Sequence, residues 1–104
     1  MIELVEPEYA PWHPMSIAGD VKHIGKLGEE SAELAQVACR CIIQGLYEVN
    51  PDDGMKNIDW LANEIADVEA NIELVKQRFD LNRDTIRKRK FEKINKLAGW
   101  HKMA

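Results

Sequence analysis

Two short stretches of the sequence carry carboxylates one helical turn apart. The first stretch, residues 26–40, reads KLGEESAELAQVACR, and the second, residues 63–71, reads NEIADVEAN. The acidic residues with this spacing are Glu29, Glu30, Glu33, Glu64 and Asp67. On a helix, residues three positions apart share a face, and like charges placed there repel each other. The spacing therefore predicts that a positively charged group lies among these carboxylates.

The elements that must position these carboxylates are two amphipathic helices. At about 100° per residue, one face of the first helix is predicted to carry Leu27, Ser31, Leu34, Ala38 and Ile42. Glu30 lies beside this face, between Val37 and Cys41, so its carboxylate is predicted to be on the buried side. The second helix has apolar residues alternately three and four positions apart, at Ile58, Leu61, Ile65, Val68, Ile72, Val75 and Phe79. The polar residues that flank this seam are Glu64, Asp67 and Asn71.

Two such helices packed antiparallel would bring both acidic pairs to one side of their shared groove. We predict a cluster of four carboxylates, formed by Glu30, Glu33, Glu64 and Asp67. Left uncompensated, this cluster would cost several kcal/mol through desolvation and repulsion. Hard divalent cations take oxygen ligands, and Mg²⁺ is commonly held by a few carboxylates together with substrate phosphates. The predicted occupant is therefore Mg²⁺, with Mn²⁺ as an alternative.

The two acidic motifs resemble the signature of the MazG-like, all-α nucleoside triphosphate pyrophosphohydrolases. The pattern E-E-x-x-E at residues 29–33 is followed by E-x-x-D at residues 64–67. The flanking residues that also resemble this family are Lys26, Leu27, Leu34 and Asn71, and the similarity covers roughly residues 26–79. The resemblance implies an all-α helical bundle that assembles as a homo-oligomer, a dimer or tetramer, with its core completed by the neighbouring subunit and its pocket near the interface.

The resemblance also implies a reaction, the Mg²⁺-dependent hydrolysis of a nucleoside triphosphate to the monophosphate and pyrophosphate. The implied metal ligands are Glu30, Glu33, Glu64 and Asp67. Glu29 is the implied base that orients the attacking water, and Asn71 is a polar contact to that water or to substrate. Lys26 lies one turn before Glu30, where an ion pair and a contact to phosphate both remain open. The alternative function is a non-catalytic helical interaction module, because coiled-coil partners also produce a seam of this spacing.

The third predicted helix carries a run of basic residues in an otherwise acidic chain. Positions 87–90 read RKRK, and Lys93 and Lys96 follow. One interpretation is a solvated face, with packing by Ile86, Phe91, Ile94 and Leu97. The other interpretation places cations over the triphosphate, with Lys90 and Lys93 spaced best to reach it.

The boundaries of the elements follow from turn and cap signals. Helices are predicted over about residues 16–46, 57–80, and from 82 or 84 to 98. The glycines that weaken the first half of the first helix are Gly19, Gly25 and Gly28. A kink or an interruption before Lys26 is therefore expected. Asn57 is the predicted N-cap of the second helix, and Asn82 or Asp84 caps the third.

Prolines separate an N-terminal arm, residues 1–14, from a single helical domain, residues 15–104. Pro7, Pro11 and Pro14 exclude a long regular helix in the arm. Three side chains keep two interpretations each, as packing residues or as pocket residues: Trp12, His23 and Trp60. In the pocket, Trp12 would stack on the substrate base.

Composition narrows the kinds of partner and the cellular location that the chain can have. The net charge of −4 argues against a nucleic-acid polymer as partner, since such partners require a basic surface. No apolar run is long enough to span a membrane, and no signal peptide is expected. Cys39 and Cys41 point in different directions on a helix and match neither a redox motif nor a zinc motif. These features predict a cytoplasmic protein with reduced cysteines.

Overall fold

A computed structural model describes residues 12–103, and the described chain is helical, as predicted. Helix α1 spans Ala18–Gln44, α2 spans Asn57–Arg78 and α3 spans Arg83–Met103. Within the described residues, none of these helices has the length and apolar character that crossing a bilayer requires. Most of the predicted N-terminal arm, residues 1–11, lies outside the described residues. Trp12, which precedes α1, is 78% exposed.

Helix α1 is continuous over 27 residues, so the interruption expected before Lys26 does not occur. Contacts with α2 stabilise the glycine-containing half of α1. Arg78, at the end of α2, donates from Nε to Asp20 Oδ1 over 2.7 Å. A Cβ atom at Gly19 would lie 2.5 Å from Arg78 Nη2, so the glycine leaves room for the guanidinium to cross α1. The tertiary contact therefore offsets the low helix propensity of this segment.

The hairpin formed by α1 and α2 is antiparallel, because contacts join the start of α1 to the end of α2 and the end of α1 to the start of α2. Val37 of α1 and Val75 of α2 are buried between the helices. The predicted α2 seam faces this interface: all of its residues are half-buried or buried except Ile65, which is 41% exposed. The seam prediction is thus largely confirmed.

The predicted packing face of α1 is rotated from the observed one. Ser31, Ala38 and Ile42 are exposed, and Ile42 keeps 84% of its surface in solvent. The residues that face α2 are Leu27, Glu30, Leu34, Val37 and Cys41. Helix α1 has apolar side chains on two sides, and periodicity alone did not identify the side on which α2 packs. The predicted burial of Glu30 is confirmed.

The connection between α1 and α2 is organised around Asn57. Asn57 is the first residue of α2, whereas the N-cap position is Lys56 and has no side-chain cap. The prediction of Asn57 as N-cap is therefore wrong. Its fully buried side chain instead donates from Nδ2 to the Gly45 carbonyl over 2.9 Å and to Gln44 Oε1 over 3.3 Å. Asn57 ties the end of α1 to the start of α2, because the carbonyls at a helix end require donors.

Helix α3 leaves the hairpin. Asn82 Oδ1 accepts the Thr85 amide over 3.0 Å, which confirms the cap, and the helix continues past the predicted end at Ala98. Arg83 ties its first turn to Glu73 of α2 over 2.8 Å. Beyond that turn, the residues predicted to pack are exposed, with Phe91 at 66%. The Cα radius of gyration is 19.1 Å, against about 13 Å for a compact domain of this length.

Candidate functional site

Three of the predicted metal ligands converge between α1 and α2. Glu30 and Glu33 lie one turn apart on α1, and Glu64 faces them from α2. One carboxylate oxygen from each residue lies within 4.8 Å of the other two. The three residues, which we call the carboxylate cluster, are brought together by the antiparallel packing of the hairpin.

The carboxylate cluster is partly removed from water. Glu30 is only 9% exposed, although glutamate side chains are normally on the solvated surface of a protein. Glu30 Oε2 and Glu64 Oε2 are both buried and have no hydrogen-bond partner among the described residues. A buried carboxylate oxygen without a partner is costly, so each of these atoms lacks the donor or cation that would stabilise it.

Repulsion between carboxylates and burial raise the pKa values of two members of the cluster. The charge of Glu30 is the main cause of the raised pKa of Glu33, followed by burial. For Glu64, burial is the main cause of the raised pKa, followed by the charges of Asp67 and Glu30. A cation among these acids would offset both causes, so the predicted place for a positively charged group is next to Glu33 and Glu64.

Lys26 is the cation closest to the cluster within the described residues. Its Nζ lies 3.3 Å from Glu29 Oε1 and 3.3 Å from Glu30 Oε1, and these two carboxylates raise its pKa. The ion pair predicted as one of its two roles is confirmed. Because Lys26 contacts Oε1 of Glu30, it leaves Oε2 without a partner.

Asp67 and Asn71 lie further along α2. Asp67 is exposed and lies outside the group of mutually close oxygens, although its charge raises the pKa of Glu64. The predicted four-carboxylate cluster is therefore a cluster of three with Asp67 beside it, since Asp67 is displaced one turn along the helix. Asn71 donates from Nδ2 to the Asp67 carbonyl over 2.8 Å, a bond within its own helix.

A groove of 680 Å³ opens on one flank of the hairpin. Glu29, Lys26 and Asn71 line it, as do Lys22 and His23. His23 donates from Nδ1 to the Gly19 carbonyl over 2.8 Å, which leaves Nε2 available to a ligand. The sequence prediction missed Lys22, although its position one turn before Lys26 on the same face was the signal that identifies it.

A smaller groove of 380 Å³ lies beside the cluster. Two of its walls are Glu33 and Glu64, and the ring of Trp60 forms another. The Arg40 guanidinium lies 4.4 Å from the centroid of this ring. Trp60 is therefore a wall of this groove. The sequence prediction overlooked Arg40 and Gln36 as pocket residues; their positions seven and three residues after Glu33 place all three on one face.

The other predicted substrate contacts are not at the cluster. Lys90 and Lys93 line a separate groove on α3, together with Thr85, Ile86 and Arg89. Within one copy of the described chain they lie away from the cluster, because α3 does not pack along the hairpin, so their place over the triphosphate stays a prediction. Trp12 is exposed ahead of α1 and stacks on nothing among the described residues.

The geometry thus assembles carboxylates from two helices, one lysine and two flanking grooves. Carboxylates at this distance can hold a hard cation, and the cationic and polar groups of the larger groove can bind an anion. Comparisons of the chain with protein-family models, with curated proteins and with solved structures give no match.

Proposed function

We propose that this protein is a Mg²⁺-dependent nucleoside triphosphate pyrophosphohydrolase. In this reaction, water cleaves the anhydride between the α- and β-phosphates, and the products are the nucleoside monophosphate and pyrophosphate. The observation that carries the proposal is the convergence of Glu30, Glu33 and Glu64 within 4.8 Å. The resemblance of the two acidic motifs to the MazG-like family supplies the choice of reaction.

The donor set fits Mg²⁺. All of the proposed ligand atoms are carboxylate oxygens, which hard divalent cations prefer, and no sulfur or imidazole belongs to the group. The buried Oε2 atoms of Glu30 and Glu64 have no hydrogen-bond partner among the described residues, so a cation would supply what they lack. Asp67 would complete the set from the adjacent turn. Mg²⁺ held here would neutralise phosphate oxygens and acidify a water molecule.

The neighbouring residues have roles that follow from their positions. Lys26 now bridges Glu29 and Glu30, and a phosphate in the larger groove would compete for its ammonium. Transfer of Lys26 to the phosphate would free Glu29 to accept a proton from the attacking water. Asn71 lies on the opposite wall of the same groove, where its side chain can contact substrate.

The proposed active form is a homo-oligomer, a dimer or a tetramer. The side of α1 that faces away from α2 is apolar and exposed, and its large residues are Ile17, Val21, Ile24, Ile42 and Ile43. These residues share one helical face, with one group around the start of α1 and another at its end, and exposed apolar groups of this kind are typical of an association surface.

The test is pyrophosphate release from a panel of ribo- and deoxyribonucleoside triphosphates, with Mg²⁺ and with a chelator. Glu64→Gln removes one charge from the cluster with little change in volume, so we expect turnover to fall by about a hundredfold or more. Glu69→Gln makes the same change at an exposed position of α2 and is the matched control. Turnover by Glu64→Gln equal to that of the control would remove the cluster from the mechanism.

A non-catalytic interaction module is the second candidate, and the exposed apolar residues of α1 and α3 favour it. Thermal unfolding with and without Mg²⁺ separates the two proposals. A metal site stabilises the folded state by mass action, whereas a module without a metal site does not respond. A melting temperature that is independent of Mg²⁺, in a protein that releases no pyrophosphate, would favour the module.

A further inference from the structure

Trp60 lies one helical turn before Glu64 on α2. Residues four positions apart share a face of a helix, so the indole ring and the carboxylate lie side by side. Both side chains line the smaller groove, together with Glu33 and Arg40 from α1. The ring of Trp60 therefore borders the carboxylate cluster and can act on one of its members directly.

The indole and the carboxylate are chemically matched. An indole N–H is a donor without acceptor capacity, and an ionised carboxylate is an acceptor only. Burial and the charges of two neighbouring acids raise the pKa of Glu64. The interaction with the Trp60 side chain acts in the opposite direction and lowers this pKa, because a donor favours the charged form of a carboxylate. Trp60 therefore stabilises the form of Glu64 that can bind a cation.

A donor on one oxygen of Glu64 leaves the other oxygen for a cation. Glu64 Oε2 is buried and has no hydrogen-bond partner among the described residues. One carboxylate oxygen of Glu64 also lies within 4.8 Å of oxygens of Glu30 and Glu33. Groups that hydrogen-bond to a metal ligand fix its orientation and so increase the affinity for the metal. A bond from the indole would fix the Glu64 carboxylate in this way.

Arg40 covers the ring of Trp60. Its guanidinium lies 4.4 Å from the ring centroid, and both side chains are half-buried. Within the described residues, Arg40 takes part in none of the ion pairs, so the ring is its close partner. A cation above the ring holds it by attraction to the ring quadrupole. The contacts thus run from Arg40 of α1 through Trp60 to Glu64 of α2.

Packing alone does not require a tryptophan at this position. The apolar side chains buried between α1 and α2 are Val37 and Val75, whereas Trp60 is half-buried at the edge of an open groove. Phenylalanine would supply an aromatic ring and apolar contact without a donor. The N–H group is what distinguishes tryptophan, and in partly buried tryptophans it usually has a hydrogen-bond partner.

We propose that Trp60 is a positioning residue for the metal ligand Glu64. Its indole N–H donates a hydrogen bond to the Glu64 carboxylate, and Arg40 holds the ring in place. The carboxylate then has one orientation, with its second oxygen directed toward Glu30 and Glu33. The role in metal binding rests on the proposed function, whereas the hydrogen bond forms without metal.

The indole N–H signals of ¹⁵N-labelled protein in chelator test the hydrogen bond directly. The chain has three tryptophans, and Trp12→Phe and Trp100→Phe assign two of the three signals. We expect the Trp60 proton to exchange with water about tenfold faster or more in Glu64→Ala, because a bond to a charged acceptor is lost. Glu69→Ala is the matched control at an exposed position of α2. Equal exchange of Trp60 in Glu64→Ala and wild type overturns the proposal.

A titration with Mg²⁺ tests the consequence for the metal site, with the rise in melting temperature as the measurement. Trp60→Phe keeps a ring and removes the donor. We expect its half-maximal response to require about tenfold more Mg²⁺, the loss typical when a group that orients a metal ligand is removed. Arg40→Gln should require about twofold more, since the ring loses only its cover. Trp100→Phe makes the same change at an exposed position of α3 and is the control.

A purely structural role of Trp60 predicts a different result. Trp60→Phe would then lower the melting temperature in chelator and leave the Mg²⁺ concentration at half-maximal response equal to that of Trp100→Phe. This result would overturn the proposal. If Trp60→Phe does not fold, the exchange measurement decides, because Glu64→Ala leaves the tryptophan in place.

The outcomes separate this inference from the proposed function. If Trp60→Phe weakens the Mg²⁺ response and wild-type protein releases no pyrophosphate, the positioning role stands and the proposed reaction fails. If Mg²⁺-dependent release is present and Trp60→Phe responds to Mg²⁺ like Trp100→Phe, the reaction stands and the positioning role fails. A wild-type melting temperature that is independent of Mg²⁺ would refute the metal site, and the positioning role with it.

Discussion

The hairpin and α3 are helical to a similar extent but are stabilised by different interactions. In the hairpin, Val37 and Val75 are buried, and Asn57 and Arg78 join the two helices at opposite ends. In α3, the cap at Asn82 and the ion pair of Arg83 hold the first turn, and the large apolar residues beyond it are exposed. Local signals therefore suffice to define α3 as a helix, and beyond its first turn α3 does not pack on the hairpin of its own chain.

This difference has a consequence for stability. Isolated helices of moderate length are marginal in water, and most helical stability in proteins comes from the packing of an apolar face. Changes in the hairpin should therefore alter the free energy of unfolding directly. Changes in the exposed part of α3 should act mainly through association between copies.

The largest contrast is expected between two asparagines. Asn57→Ala removes two hydrogen bonds and leaves a space in a fully buried position. We expect it to lower the free energy of unfolding by about 3 kcal/mol. Asn82→Ala removes the cap of α3 and should cost about 1 kcal/mol. Urea unfolding, followed by circular dichroism, measures both values. Equal losses would show that the buried hydrogen bonds of Asn57 contribute no more than the exposed cap at Asn82.

The next contrast compares two apolar residues. Val75→Ala should lower the free energy of unfolding by about 2 kcal/mol, because the side chain is buried between α1 and α2. This loss should be independent of protein concentration. Leu97→Ala should have little effect at high dilution and a growing effect as the concentration rises. Thermal unfolding over a concentration series checks this, and a loss for Leu97→Ala that does not vary with concentration would mean that α3 packs within one copy.

Bound Mg²⁺ should raise the free energy of unfolding through the carboxylates of the hairpin. The lysines of α3 should not contribute to this effect. At a free concentration ten times its dissociation constant, one bound ion raises the free energy of unfolding by about 1.4 kcal/mol. Glu64→Gln should lose most of this response, whereas Lys90→Ala/Lys93→Ala should keep it. Unfolding of each variant in a Mg²⁺ titration provides the measurement, and an unchanged response of Glu64→Gln would place the ion elsewhere.

The same carboxylates determine how stability depends on pH when metal is chelated. The pKa values of Glu33 and Glu64 in the folded protein are raised above the ordinary value of 4.5. Their contribution to stability is therefore fully present below pH 4.5 and is lost as the pH rises through the raised values. Metal-free Glu64→Gln should then be more stable than wild type at neutral pH, with the difference vanishing in acid. Urea unfolding in chelator from pH 4 to pH 7.5 tests the sign.

The smallest change in the free energy of unfolding is expected in the smaller groove, the one beside Trp60. Arg40→Gln removes the cation above Trp60 and should cost about 0.5 kcal/mol, the value typical of an exposed cation–π contact. Arg40→Lys should retain part of it. Thermal unfolding of the two variants distinguishes a loss of charge from a loss of planar stacking, because only the guanidinium stacks flat on the ring.

The sequence predicted correctly those features that depend on residues within a few positions of one another. The helical class, the α2 seam, the cap at Asn82 and the burial of Glu30 all follow from spacing and residue type. Errors occurred where two local interpretations compete. Helix α1 has apolar residues on opposite sides, and Asn57 has the residue type of an N-cap but a side chain that reaches the preceding helix. Periodicity describes one helix at a time, so it did not identify the face that α2 covers.

By itself the sequence determined that three helices form and that their acidic residues lie on shared faces, because these properties depend on residues a few positions apart. Only the tertiary structure decided which carboxylates meet. Antiparallel packing brings Glu64 to Glu30 and Glu33, leaves Asp67 one turn away, and carries Lys90 and Lys93 away from all of them. The distances between helices depend on rotation and crossing, which are set by contacts between residues far apart in the chain.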